Sequence, residues 1–117
     1  MQPLAPDYIR LLHIEKGEDP APIRCKLSQV SVKSPPAYEA LSYVWGDPEE
    51  KCMITCNNEQ VPVTRNLYTA LPFLRLRDGE RVMWIDAVCI NQNDEQERSQ
   101  QVRIMGKIYK QASQVIV

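Results

Sequence analysis

From Tyr38 onward the chain alternates between runs suited to strands and runs suited to helices, which restricts its fold more than any other feature. Tyr38 to Trp45 is mostly apolar, reads as a buried central strand, and stops at the turn signal Gly46-Asp47-Pro48. Val82 to Ile90 is a second short apolar run, and Gln114 to Val117 begins a third. Two helical patterns lie between them. Asn66 can cap a helix with apolar positions Leu67, Ala70, Leu71 and Leu74, ended by Asp78-Gly79. Pro72 sits deep enough in it to predict a kink or a short first segment. Asp94 with Glu97 three residues on resembles a capping box. Val102, Met105, Ile108, Tyr109 and Ala112 then form one apolar stripe, with Lys107 and Lys110 near the negative helix end. Strand, helix, strand, helix, strand is the pattern of a parallel α/β sheet with right-handed crossovers. Such a sheet is buried on both faces, and a short last strand with nothing beyond it would leave the sheet one-sided. The expectation is a piece, or a shortened copy, of a larger domain.

Two hairpins accompany this half. Tyr8 to Ile14 and Ile23 to Val32 read as strands joined through the turn cluster Gly17 to Pro22, and Ser34-Pro35-Pro36 closes the segment. Cys52 to Cys56 and Gln60 to Thr64 flank Asn57-Asn58-Glu59, a second hairpin with asparagines in its turn. The division expected is an N-terminal hairpin extension over residues 1–37 and an α/β part over residues 38–117.

Composition excludes several classes. With 117 residues, 44% hydrophobic and 25% charged, the chain is the size of one small globular domain. A net charge of −1 lacks the basic excess that phosphate neutralisation requires, so no nucleic-acid partner is expected. No apolar run approaches the roughly 18 residues needed to cross a bilayer, and Met1 to Pro6 lacks the basic start and apolar core of a signal peptide. A cytoplasmic location and no membrane partner are expected. Cys25, Cys52, Cys56 and Cys89 then read as free thiols, with no metal site: Cys52 and Cys56 have no second pair, and His13, the only histidine, is distant. His13 is also the only imidazole that could activate Cys89. The glycines Gly17, Gly46, Gly79 and Gly106 form neither a dinucleotide fingerprint nor a phosphate loop.

Candidate site residues cluster where strands end, because ligands of α/β domains sit at the carboxyl ends of strands. Asp86 is either a ligand-facing carboxylate or one that orders its own loop. Asn91 and Gln92 can hydrogen-bond a sugar or base, or order the turn. Glu97 and Arg98 can act as an acid–base pair, against helix capping for Glu97 and loop bridging for Arg98. Trp45, Gly46 and Asp47 end the central strand, where an aromatic beside a flexible residue lets a planar ligand approach the backbone, or where Trp45 is plain core.

Taken together, several blocks resemble the heterokaryon incompatibility (HET) domain of filamentous fungi. They are Tyr38-Glu39-Ala40-Leu41-Ser42-Tyr43-Val44-Trp45-Gly46, then Asn66-Leu67 with Ala70-Leu71, then Trp84 to Gln92. Glu97-Arg98, Gln101-Val102, Met105, Ile108-Tyr109 and Ala112 complete the pattern. Tyr43, Glu97, Arg98, Gln101, Met105 and Tyr109 are thereby family-motif positions. The family pattern normally continues past the final Val-Ile-Val, so residues 38–117 match its N-terminal part. The resemblance implies a role in non-self recognition and programmed cell death when incompatible hyphae fuse.

A more distant likeness is to TIR domains of innate immunity. Tyr38 to Tyr43 looks like their first strand and Trp84-Ile85-Asp86 like their second. It implies a partial flavodoxin-like sheet of order 2-1-3, with Leu41–Trp45 beside Val115–Val117 and a crevice between their ends. The loop of residues 87–96 and the helix of residues 97–112 would then carry self-association or a protein partner. Some TIR domains cleave NAD with a glutamate from a helix after the third strand. The matching helix would follow Val117, so the implied catalytic residue is not in this chain. No cofactor is expected; NAD would be a substrate of the complete domain, and the chain alone is expected to be inert. A non-catalytic interaction module is the alternative.

Overall fold

The computed structural model describes residues 2–42 and 50–116. The N-terminal hairpin forms as expected: β1 (Tyr8–Ile14) pairs antiparallel with β2 (Arg24–Ser31), Leu12 opposite Leu27. The second hairpin, β4 (Lys51–Cys56) and β5 (Glu59–Thr64), turns on Asn57 and Asn58 at φ of 52° and 65°. Two successive positive φ values make the two-residue turn whose twist matches paired strands, and asparagine tolerates them.

Three strands build the parallel part. β3 (Glu39–Leu41) lies between β6 (Arg81–Ile85) and β7 (Gln114–Ile116), parallel to both. Leu41 stands opposite Ile85 on one side and Ile116 on the other. The expected neighbours and direction are therefore present. Of the run Tyr38 to Trp45, the part from Tyr43 lies outside the described residues.

The sheet is not purely parallel, which corrects the sequence expectation. Seven strands form one mixed sheet of order β5-β4-β2-β1-β6-β3-β7. β1 runs antiparallel to β6, with Leu12 opposite Met83, and β2 meets β4 in parallel at Arg24–Thr55 and Cys25–Cys56. The hairpins thus extend the parallel core on its β6 side. Periodicity identifies strands but carries no information about which strand a hairpin joins.

Three local boundaries also differ. The run Val82 to Ile90 is β6 followed by a single helical turn, α2 (Asp86–Cys89), closed by the Ile90 N–H on the Asp86 carbonyl at 3.3 Å. A short unbroken apolar run looks alike in either state, and the thiol of Cys89 favours the turn by accepting from the Ile85 N–H at 3.4 Å. Helix α1 (Arg65–Leu74) is capped by Thr64, whose hydroxyl accepts from the Leu67 N–H, in place of Asn66. It passes through Pro72 and ends before Asp78-Gly79, its last turn closed by the Arg75 N–H on Leu71 O at 2.9 Å.

Helix α3 (Glu95–Gln111) is capped as expected by Asp94, which accepts from the Glu97 N–H at 3.1 Å. It therefore begins two residues before the expected span of residues 97–112, and the expected loop of residues 87–96 narrows to residues 90–94 after α2. Its buried face differs from the apolar stripe. Val102 is 56% exposed, whereas Glu97, Gln101 and Ile108 are buried. The inward face therefore passes through two polar side chains before it becomes apolar. Among the described residues no helix is long and apolar enough to cross a membrane.

Candidate functional site at the strand ends

Parallel strands deliver their carboxyl ends to one edge. Ser42 follows β3 and its N–H bonds Ile116 O at 2.8 Å, while Asp86 follows β6. From α3, Tyr109 reaches this edge and hydrogen-bonds Ser42. Burial, and then the negative charge of Asp86, raise the Tyr109 phenol above its ordinary value, and the Ser42 bond opposes them. The indole of Trp84 meets the Tyr109 ring edge to face, 5.5 Å between centroids at 83°. Tyr109 thus bonds Ser42 and feels the charge of Asp86 while its ring packs on Trp84.

The loop after α2 is held by its own amides. Gln92 Nε2 donates to the carbonyls of Asp86 at 3.0 Å and Ile90 at 3.4 Å, and Asn91 Oδ1 accepts from the Asn93 N–H at 3.1 Å. Arg98 Nη1 donates to Gln92 O at 2.8 Å, tying α3 back to the loop. Asp86, Asn91 and Gln92 also line a cavity of about 630 Å³ whose far wall is β5, with Lys51 at its side. That volume lies within the range of small-molecule sites.

Glu97 leaves the reciprocal half of the capping box unmade, because its carboxylate points inward. Arg10, on β1 and 2% exposed, forks onto it with Nη1 to Oε2 at 2.7 Å and Nη2 to Oε1 at 2.8 Å. The remaining donors of Arg10 reach Cys89 O at 3.1 Å and Gln2 O at 2.7 Å, and Glu97 Oε2 also accepts from the Asn91 N–H at 2.6 Å. One turn on, Gln101 Nε2 donates to Tyr8 O at 3.1 Å. This hub joins β1, α2, the loop and α3 in a charge-paired, hydrogen-bonded cluster. Arg10 was not singled out by sequence reasoning, although its place in the run Ile9-Arg10-Leu11-Leu12, which breaks polar alternation, is the signal of a buried charge.

Other candidates are dispersed. Trp45, Gly46, Asp47 and the motif residue Tyr43 lie outside the described residues. Met105 is half-buried and packs on the core. Tyr38 donates its buried hydroxyl to Ile108 O at 2.6 Å. Cys89 Sγ contacts Ile85 N–H and Met83 O, while His13 is bracketed by Glu80 Oε1 at 2.9 Å and Ser28 Oγ at 2.7 Å, so the thiol and the imidazole keep separate partners. Neither Ser28 nor His13 borders the cavity beside Asp86. Among the described residues, no group of three or more His, Cys, Asp or Glu side chains could hold a metal ion.

Comparison with known proteins adds sequence relatives. The family model described as "Heterokaryon incompatibility protein (HET)" matches residues 38–117. The chain is 40% identical to heterokaryon incompatibility protein 6, OR allele, of Neurospora crassa, over 80% of this chain and 16% of that protein. It is 28% identical to vegetative incompatibility protein HET-E-1 of Podospora anserina, over 91% of this chain and 8% of that protein. The chain therefore spans less than a fifth of the length of either relative. No solved structure matches.

Proposed function

The chain belongs to the heterokaryon incompatibility family, and we propose that it serves fungal non-self recognition as a cell-death signalling domain built on a TIR-like sheet. The observation that carries this reading is the parallel order β6-β3-β7, with the second strand of the unit beside the first and the third on its other side. That order gathers Ser42, Asp86 and Tyr109 at the strand ends, where flavodoxin-like sheets hold ligands. Signalling proceeds by self-association through α2, the loop that follows it and α3. The exposed loop residues Gln92, Asn93 and Asp94 and the exposed Val102 support that surface. The protein acts in the cytoplasm, where fused hyphae mix their contents.

A second reading is favoured by the cavity beside Asp86. In the complete domain this pocket takes NAD, Asn91 and Gln92 bond its ribose or base, and a carboxylate from sequence after Val117 stabilises the oxocarbenium-like state of nicotinamide–ribose cleavage. The chain by itself then binds without turnover. The test is expression of this span beside a version extended through the whole domain, with hyphal death and NAD consumption scored together. Death without NAD loss supports signalling by assembly alone, and NAD loss abolished by Asp86→Asn supports the enzyme. Turnover by the short span would overturn its assigned inertness.

A further inference from the structure

Two thiols stand side by side at the junction of the second hairpin with the rest of the sheet. Cys25 on β2 and Cys56 on β4 are direct partners in the parallel register. Directly opposed residues of paired strands present their side chains to the same face, and the usual spacing of about 4.8 Å between strands falls within the Cα range of about 4.4–6.8 Å that a disulfide spans. Both cysteines are free and buried, at 4% and 2% exposure. Cys56 also forms part of the wall of a second cavity of about 720 Å³, together with Arg10, Gln29, Asn57, Glu59 and Val61. Of the two cysteines, Cys56 borders that cavity. Nothing in the proposed signalling or nucleotide chemistry uses this pair.

We propose that Cys56 and Cys25 form a peroxide-reactive dithiol site, in which a hydroperoxide entering the Arg10 cavity oxidises Cys56 and Cys25 resolves it to a disulfide linking β2 to β4. Cys56 attacks as the thiolate. Its S–O bond forms as the peroxide O–O bond breaks, and the departing oxygen takes up the proton that Cys56 released on ionising and leaves as water or alcohol. Cys25 then attacks the sulfenic sulfur, the S–S bond forms as the S–O bond breaks, and the expelled hydroxide takes the Cys25 proton to leave as water. Two thiols lose two electrons and two protons, and one peroxide is reduced. The proton bookkeeping favours this division: Cys25 donates its S–H to Cys56, which lowers the Cys56 thiol and, with burial, raises that of Cys25.

The other thiols are poor competitors. Cys52 lies four residues from Cys56 on one extended strand, roughly 14 Å away at about 3.4 Å per residue. Cys89 is engaged with Ile85 and Met83. The product would lock the β4–β5 hairpin, which forms one wall of the cavity beside Asp86, to the body of the sheet.

The test treats the folded chain with hydrogen peroxide, counts free thiols and maps linkages by peptide mass. The expected result is a fall from four free thiols to two, with a Cys25–Cys56 linkage and no covalent dimer. Cys52→Ser leaves this unchanged, and Cys25→Ser instead accumulates a sulfenic acid on Cys56 that a dimedone-type probe captures. Should either variant fail to fold, linkage mapping of the native chain decides alone. A linkage to Cys52 or Cys89, intermolecular pairing, or oxidation that occurs only in urea overturns the proposal.

Discussion

Two halves of one polar cluster behave differently. The candidate and motif residues Asp86, Asn91, Gln92, Glu97 and Gln101 lie close together in sequence, yet the fold divides them. Glu97 and Gln101 turn inward to Arg10 and Tyr8 O, and the ion pair formed there is buried on both sides. Asp86, Asn91 and Gln92 stay at the cavity wall and are only partly enclosed or exposed. The difference teaches that a motif position can be polar because the chain needs a buried staple, or because something outside must be met.

Glu97 is the residue on which the closed half depends most. Glu97→Ala leaves the Arg10 guanidinium buried without its counter-ion and is expected to cost about 3–5 kcal/mol, read as a fall in urea midpoint. The double variant Arg10→Met with Glu97→Leu should recover most of that loss, since removing both charges also removes their desolvation penalty. A single-variant loss under 1 kcal/mol would demote the hub to an ordinary surface pair.

Alkaline pH probes the closed side next. Burial pushes the Cys89 thiol from 9.0 up to about 12, so the folded state keeps a proton that the unfolded chain releases. The stabilisation is whole below the unfolded value and fades as pH rises through the folded one. Between pH 8 and 11 the wild type should lose on the order of 2 kcal/mol from this group, and Cys89→Ala should flatten that part of the curve. Urea midpoints across the range check it; an unchanged slope contradicts the burial argument.

How much of this was legible in the chain follows from what each signal encodes. The turn of Asn57 and Asn58 and the start of α3 at Asp94 were readable because local chemistry fixes them. The parallel neighbours of β3 were implied by the distant likeness to TIR domains. The antiparallel seam of β1 on β6, the inward turn of Glu97 and the exposure of Val102 were not readable. Each depends on contacts between residues about 70 or more apart in sequence, and no local period reports them. Arg10 is the sharpest case, since only its partner on α3 makes a buried arginine tolerable.

Smaller effects sharpen the picture. Thr64→Ala removes the α1 cap and should cost about 1 kcal/mol by thermal or urea melt, whereas Asn66→Ala should not reproduce it as a cap. Arg98→Ala, which releases an exposed bridge to Gln92 O, should cost no more than about 0.5 kcal/mol and raise amide exchange in the loop of residues 91–93. A large stability loss there would place Arg98 with the closed half.

The most direct measurement pairs stability with signalling for Asp86→Asn, a change that keeps shape and removes charge. Wild type and variant, expressed at equal levels in fungal hyphae within the complete domain, are compared for melting temperature and for death of the host cells. The division into a closed hub and an open rim predicts a melting temperature close to wild type together with loss of death signalling. Undiminished signalling, or a melting loss as large as that of Glu97→Ala, would contradict it.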